Sequence, residues 1–529
     1  MTAELSTADL AQLAGRGIDA REAERQLRLL REPPHPPRLL RPCTVGDGIR
    51  RLDAAEQAAL REVWQDNAAG SEALKLVPAS GAASRMFGSL LPLLDEEPFP
   101  TAAELSRRAE AGDASARDLD RLWRELPRFP FFDELAAVCA ARGTPLAELR
   151  ERRDGRRLLR LLLGDDGLGL ASRPKGLIPF HHYRDPGGGL RTAAEEHLWE
   201  GAGSLADDEE GVARYHFTVA PEARDRFAAE LAAAADRLRR ARGVVAEVSF
   251  SVQDPATDTL AITPEGEPFR DDDGSLLLRP GGHGALLANL AALPARWVLL
   301  KNVDNVQPER AHELVAHWQE VLGGLLVRLE IAADDHLDAI FRAEGDDADE
   351  EEAANAAARF LVEELGVAAA AEWVHLETGE RERRLRDRLH RPLRVCGVVE
   401  NRGEPGGGPF WVERGSNEPS MQIVERAEIG DDPAQAAVFG RATHFNPVQI
   451  AAGLRDGDNR PFDLHRYVDE RAVFIARKSH GGRPLLALER PGLWNGAMAM
   501  WNTVFVEVPA ETFAPVKTIF DLLRPEHQP

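Results

Sequence analysis

From about residue 170 onward, apolar runs stop at polar turns and then give way to helical periodicity. No other feature of the chain constrains its fold as much. "RYHFTVAPEARDRFAAELAAAADRL" reads as a strand, a Pro-Glu turn and a long helix. "GVVAEVSFSVQ" reads as a strand of near-continuous apolar character, "LLLRPGGHGALLANLAAL" as a loop entering a helix, and "RWVLLKNVDNV" as a buried strand ending in a polar turn. Strands alternating with helices predict an α/β fold, a doubly wound and mostly parallel sheet. Ligands of such sheets sit outside the carboxyl ends of the strands. The expected organisation is a helical N-terminal region over 1–70 and a nucleotide-binding core over 71–310. That core carries a helical insertion at about 100–168. A helical acidic insertion spans 311–390, and a substrate-side α+β region over 391–529 completes the core.

One strand-to-helix turn stands earlier, in "KLVPASGAASRMFGSLLPLL", residues 75–94. A buried strand is expected over 74–78, and a helix over 85–94. Ser80, Gly81 and their small neighbours let backbone N–H groups face an anion at a positive helix end. Arg85, in the first helical turn, can clamp a phosphate through two hydrogen bonds. The alternative is an ordinary tight connection with a surface Arg. No Gly-Lys-Ser/Thr follows, so this is not a P-loop, and it is not a Rossmann fingerprint.

"RPGGHGALL" repeats the logic. Gly281, Gly282 and Gly284 remove three side chains where a base or sugar can approach the main chain. His283 reads as a hydrogen-bonding or packing residue rather than a metal ligand. In "KNVDNV", Asp304 stands at the end of an apolar strand. A carboxylate there can hold Mg²⁺ bridging phosphates, or it can close an Asx-turn.

Composition narrows the partners. The net charge is −23, which argues against a general nucleic-acid binder and against an anionic membrane surface. Three scattered cysteines without a CxxC pair argue against a disulfide framework or a zinc ribbon. No leader-like or membrane-spanning run is present, and a cytoplasmic location is expected. Only five of the 65 basic residues are Lys: Lys75, Lys175, Lys301, Lys478 and Lys517. Where any cation suffices the chain uses Arg, so these five are candidates for places that need a compact ammonium.

Two further clusters stand out. "FHHYRD" and "RTAAEEHLWEG" gather His181, His182, Arg191, Glu195, Glu196 and His197. Zinc would use such ligands; the preferred reading is that Glu196 and His197 line a pocket while Arg191 and Glu195 meet an acceptor. "PGLWNGAMAMWNTVFVEVP" carries Trp494, Asn495, Trp501 and Asn502. Aromatics beside amides suit a sugar face, and an aromatic core seam is the alternative. The acidic run "EGDDADEEEAANAAARF" reads as a solvated helix start or a disordered stretch, not a metal site.

In order along the chain, "SGAASRM", "PKGL", "YHFTVAPEARDRF", "VSFSVQ", "RPGGHGALL", "KNVDN" and "ETFAPVKT" resemble the UDP-sugar pyrophosphorylase family. These are nucleotidyltransferases with a glycosyltransferase-A-like α/β fold. The whole chain also resembles the bacterial domain of unknown function 4301 family, a name that carries no activity. The first resemblance implies that Gly81 and Arg85 hold nucleotide phosphates and that Lys175 neutralises charge on the transferring phosphorus. It further implies that Gln253 and Gly282 read the base, Asp304 binds Mg²⁺, and Lys517 contacts the phosphate of the sugar substrate. The chain departs from the family in its first loop, where Ala79-Ser80-Gly81 and Ser84 replace paired glycines and a Thr. A long helical stretch also separates Arg85 from Lys175.

The implied reaction transfers a nucleoside monophosphate from a triphosphate, UTP favoured, to a sugar 1-phosphate or similar acceptor. A glycosyltransferase using a nucleotide-sugar and a non-catalytic nucleotide-binding protein are the competing readings. The first of these would want an Asp-X-Asp motif after a strand, and "ADDEE" and "RDDDG" are loop-like. The expected partners are a triphosphate and a phosphorylated small molecule, with no nucleic acid and no membrane; oligomeric state is left open. The turns around 81, 175, 282, 304 and 517 are expected to converge on one cleft.

Overall fold

The computed structural model describes residues 5–68, 73–184, 189–206, 211–345, 347–403, 406–413 and 418–528. The chain forms two compact units interleaved along the sequence. One comprises Met1–Leu76, Ser251–Leu300 and His317–Ala510; the other comprises Val77–Phe250, Lys301–Ala316 and Glu511–Pro529.

The first unit is built on a mixed, mostly parallel sheet. Its strands run in the order Thr44–Val45, Gly48–Arg50, Asn502–Glu507, Leu393–Glu400, Gln449–Gly453, Trp297–Lys301 and Ala73–Pro78. Four neighbouring pairs are parallel, and Leu393–Glu400 with Gln449–Gly453 is antiparallel. The central strands are buried on both faces, which is why they read as unbroken apolar runs rather than as alternation. Leu76, Val298, Leu300, Cys396, Val398, Ile450 and Phe505 share one core. A four-stranded antiparallel sheet, Leu278–Arg279, Thr259–Ile262, Arg483–Glu489 and Phe474–His480, is covered by the helices Thr7–Gly15 and Ala20–Arg31, whose Leu13, Leu27 and Leu30 pack on Leu260, Ile262 and Leu488.

The N-terminal seventy residues depart from the helical expectation. Between helices Ala20–Arg31 and Ala54–Ala68 stand three short strands, the first being Arg38–Pro42. Pro33, Pro34, Pro36 and Pro37 lock φ and bias the residues before them toward extended backbone, so the chain leaves the helix and runs extended into this strand. That strand lies at the edge of a three-stranded sheet, the place where Pro42 is tolerated.

The second unit carries five helices between Ala102 and Leu163, then the hairpin Pro179–Tyr183 with Gly189–Thr192, and helix Ala193–Leu205. Helix Arg224–Arg242 joins the neighbouring strands Val212–Val219 and Val245–Val252. The latter strand alternates between half-buried and exposed residues, as a strand paired on one side only does; its near-continuous apolar sequence does not make it a core strand. The helix expected over 85–94 is broken in two, a 3₁₀ turn Ala83–Phe87 and a short helix Leu91–Leu94. Pro92 supplies no N–H and clashes with a preceding turn, so it can only start a helix there. Among the described residues no helix is long and apolar enough to cross a membrane.

Candidate functional site

The site is assembled within the second unit from three backbone turns. The first follows strand Ala73–Pro78. Ala79 N–H donates to Thr218 O at 2.8 Å, Lys175 N–H to Gly81 O at 3.1 Å and Ala83 N–H to Arg173 O at 3.2 Å. The loop is thereby pinned to the segment carrying Lys175. Its 3₁₀ turn buries Ala83, Met86 and Phe87 and leaves Ser80, Gly81, Ser84 and Arg85 exposed. Gly81 has no left-handed backbone, and a Cβ there would meet nothing within 4 Å. The fold itself therefore does not demand a glycine at this position.

The second turn is Lys175–Leu177. Gly176 packs so closely on Phe227 and Val303 that a Cβ would stand 3.0 Å from each, which fixes the neighbouring lysine. The third joins Asp304 to the segment around Lys517. Val516 N–H donates to Asp304 O at 3.0 Å, and Ala514 N–H donates to Asn305 Oδ1 at 3.1 Å. Asp521 accepts from the N–H groups of Lys517 and Thr518 and closes that turn.

These turns place Lys175 Nζ 2.5 Å and Lys517 Nζ 3.3 Å from the same oxygen, Asp304 Oδ2. Asp304 is 9% exposed. Burial pushes its carboxyl up, but the two ammonium groups outweigh that and hold it below the usual range. Burial pushes Lys175 down, Asp304 offsets part of this, and the like charges of Lys517 and Arg85 add to the lowering. Among the described residues no carboxylate pairs with Arg85. Two ammonium groups thus share one carboxylate, and Arg85, in the exposed small-residue loop, adds its charge near Lys175. Such a cluster has the chemistry to meet a polyanion and to stabilise charge building up on it. As a magnesium site it offers one carboxylate, so phosphate oxygens and water would have to complete the shell. Among the described residues no three His, Cys, Asp or Glu side chains come together to hold a metal.

Arg191, Glu195 and His197 are buried, and the first two are committed to protein partners. The Arg191 guanidinium lies 3.6 Å from the centre of the Trp199 ring and 2.8 Å from Glu309. Glu195 takes a two-pronged contact from Arg237 at 3.0 and 2.8 Å. An acceptor-binding role for this pair gives way to cation–π packing and ion pairing inside the unit. Glu196 accepts from Tyr183 Oη at 2.7 Å and meets His181 Nδ1 at 2.8 Å. His181 Nε2 lies 2.9 Å from His527 Nδ1, and His527 Nε2 lies 3.1 Å from Ala514 O. This chain ties the segment that delivers Lys517 to the hairpin. Nothing in the local sequence around His527 signals the contact. The same holds for Lys301, fully buried and 2.7 Å from Glu200.

The remaining candidates belong to the first unit. Gln253 is half-buried in the loop after strand Val245–Val252. A Cβ at Gly281 would stand 2.6 Å from Thr257 O, and one at Gly284 would stand 2.0 Å from Pro491 O; the chain's own backbone fills that space. Gly282 has φ +75°, which favours glycine for conformational reasons. His283 stacks on Trp494 at 4.1 Å and accepts from Leu493 N–H. Asn495 donates to Ile423 O and to Glu428, and Asn502 donates to Arg388 O, both amides being buried in the core. The turn "ADDEE" falls largely on 207–210, outside the described residues.

The model of the family named domain of unknown function 4301 matches residues 6–528, and the chain belongs to that family. No curated protein matches it. Among solved structures it is similar to the uridine diphosphate N-acetylglucosamine pyrophosphorylase of Trypanosoma brucei, at 12% identity and a TM-score of 0.46, over 98% of this chain and 79% of that one. It is also similar to the UDP-glucose phosphorylase of Trypanosoma brucei, at 13% identity and a TM-score of 0.44, over 99% of this chain and 81% of that one.

Proposed function

We propose that this member of the domain of unknown function 4301 family is a nucleotidyltransferase. It would move a nucleoside monophosphate from a nucleoside triphosphate, UTP the first to test, to a sugar 1-phosphate or similar phosphorylated acceptor. The observation that carries the reading is the pairing of Asp304 Oδ2 with both Lys175 and Lys517, beside an Arg85 that has no carboxylate partner among the described residues. The order of the short motifs along the chain supports it independently.

In the reaction an oxygen of the acceptor's phosphate bonds to the α-phosphorus, and the bond from that phosphorus to the bridging oxygen of the β-phosphate breaks. Pyrophosphate leaves with the electron pair. The attacking oxygen is already ionised near neutral pH, so no side chain has to remove a proton. Catalysis then rests on positioning and on fixed cations where charge accumulates. Arg85 and the loop at Ser80–Gly81 hold the triphosphate, Lys175 faces the reacting phosphorus, and Lys517 holds the acceptor's phosphate. Asp304 orients both lysines. Mg²⁺ held by Asp304 and phosphate oxygens would neutralise further charge.

The test is release of pyrophosphate from each of the four common triphosphates against a panel of sugar 1-phosphates. Pyrophosphate formed only when both substrates are present supports the reading. Release of a nucleoside diphosphate from a nucleotide-sugar would instead mark a glycosyltransferase. Binding of triphosphate without product across the panel would mark a non-catalytic nucleotide-binding protein.

A further inference from the structure

The first unit contains a cavity of about 400 Å³ that shares no residue with the cluster at Asp304. Its wall includes Arg388, Arg391, Arg471, Gln422, Met421 and Trp501. Arg391 is paired with Asp387 and Arg471 with Asp469. Arg388 is different. It closes helix Thr378–Leu389, it is half-buried, and no acceptor among the described residues meets its guanidinium. Glu418, on the same wall, is 3.4 Å from Arg384 instead. Burial pushes the Arg388 guanidinium down to about 9 and the neighbouring Arg391 adds to this, while the carboxylates of Asp387 and Glu418 offset part of it without contacting the guanidinium. Beside it Gln422 Oε1 and Trp501 Nε1 are enclosed without hydrogen-bond partners, in residues 2% and 1% exposed.

A guanidinium partly withdrawn from water with no acceptor in contact is costly, and an anion seated in the cavity would relieve that cost. Its planar fork matches the two oxygens of a carboxylate or of a phosphate. Met421 and the indole of Trp501 supply the apolar lining typical of small-molecule pockets. We propose that this cavity binds a small organic oxyanion, a carboxylate or phosphate, through Arg388. The inference does not depend on the reaction assigned to the other unit.

Isothermal titration with inorganic phosphate and, separately, with citrate tests it and tells the two anion classes apart. The chains to compare are the wild type, Lys175→Met, which removes a cation from the Asp304 cluster, and Arg388→Met. Binding of one of the two anions that survives in Lys175→Met and weakens by about tenfold or more in Arg388→Met is the expected result. Because Arg388→Met removes a charge that no acceptor among the described residues contacts, it should melt no lower than the wild type. Should it fail to fold, Arg388→Lys keeps the charge without the fork and is expected to weaken the same binding. Unchanged binding in whichever Arg388 variant folds would overturn the proposal. So would a Lys175→Met protein that binds neither anion.

Discussion

Lys517 and Asp304 stand 213 positions apart in the chain, yet Lys517 Nζ lies 3.3 Å from Asp304 Oδ2. The Lys517 side chain is 49% exposed, so the pair is weak as a stabilising contact. Its worth is for an incoming anion. Lys517→Ala is expected to change the denaturant midpoint by little and to weaken pyrophosphate binding by about tenfold. Calorimetric titration beside a guanidinium melt separates the two effects.

Lys301 presents the opposite case. It is 1% exposed, and it is 2.7 Å from Glu200, which is 0% exposed. Removing one partner strands a charge in the interior, so Lys301→Met should cost about 3–5 kcal/mol of unfolding free energy. The double variant Lys301→Met with Glu200→Leu should recover most of that loss. A denaturant series on the three proteins checks both expectations.

Acid should loosen the segment that carries Lys517. Burial pushes His527 from 6.5 down to about 3, and the neighbouring His181 adds to this. The folded form therefore resists a proton that the unfolded form accepts below about pH 6.5. Stability is full above that pH and falls as pH drops toward 3. The contribution from His527 between pH 6.5 and 5 is at most about 2 kcal/mol. Melting temperatures across that range should fall less steeply in His527→Gln than in the wild type.

Much of the cluster was legible in the sequence because each member sits in a turn whose composition is unusual for a turn. Lys175 and Lys517 belong to a chain that otherwise uses Arg, and Asp304 ends an apolar strand. Gly81 stands among small residues just before a cation. What the sequence concealed was the partner of each group. His181 and His527 are 346 positions apart, and no periodicity encodes a contact of that range. Arg191 and Glu195 looked available because both stand in a charged stretch at the entry to a helix, while Trp199, Glu309 and Arg237 take them up only after folding. The short strands near residue 40 were hidden for a local reason: two to five residues among prolines carry too little alternation to be read.

Helix His312–Arg342 contains a pair of glycines that packing explains. A Cβ at Gly324 would lie 1.8 Å from Leu60 O, and one at Gly323 would lie 2.2 Å from the Trp64 ring. Helix Ala54–Ala68 can approach this closely only because both side chains are missing. Gly324→Ala should gain helix propensity locally and still destabilise the protein by about 1–3 kcal/mol through overpacking. Chemical denaturation reads the sign directly.

The most direct test of the account is the steady-state rate of pyrophosphate release in Lys175→Met set beside Lys478→Met. Lys478 lies in the other unit and pairs with Glu489 at a partly exposed position, so it serves as a matched loss of one lysine. Lys175→Met is expected to slow release by about 10²–10³-fold with Lys478→Met unchanged. Equal rates in the two variants would contradict the assignment of the Asp304 cluster as the reacting centre.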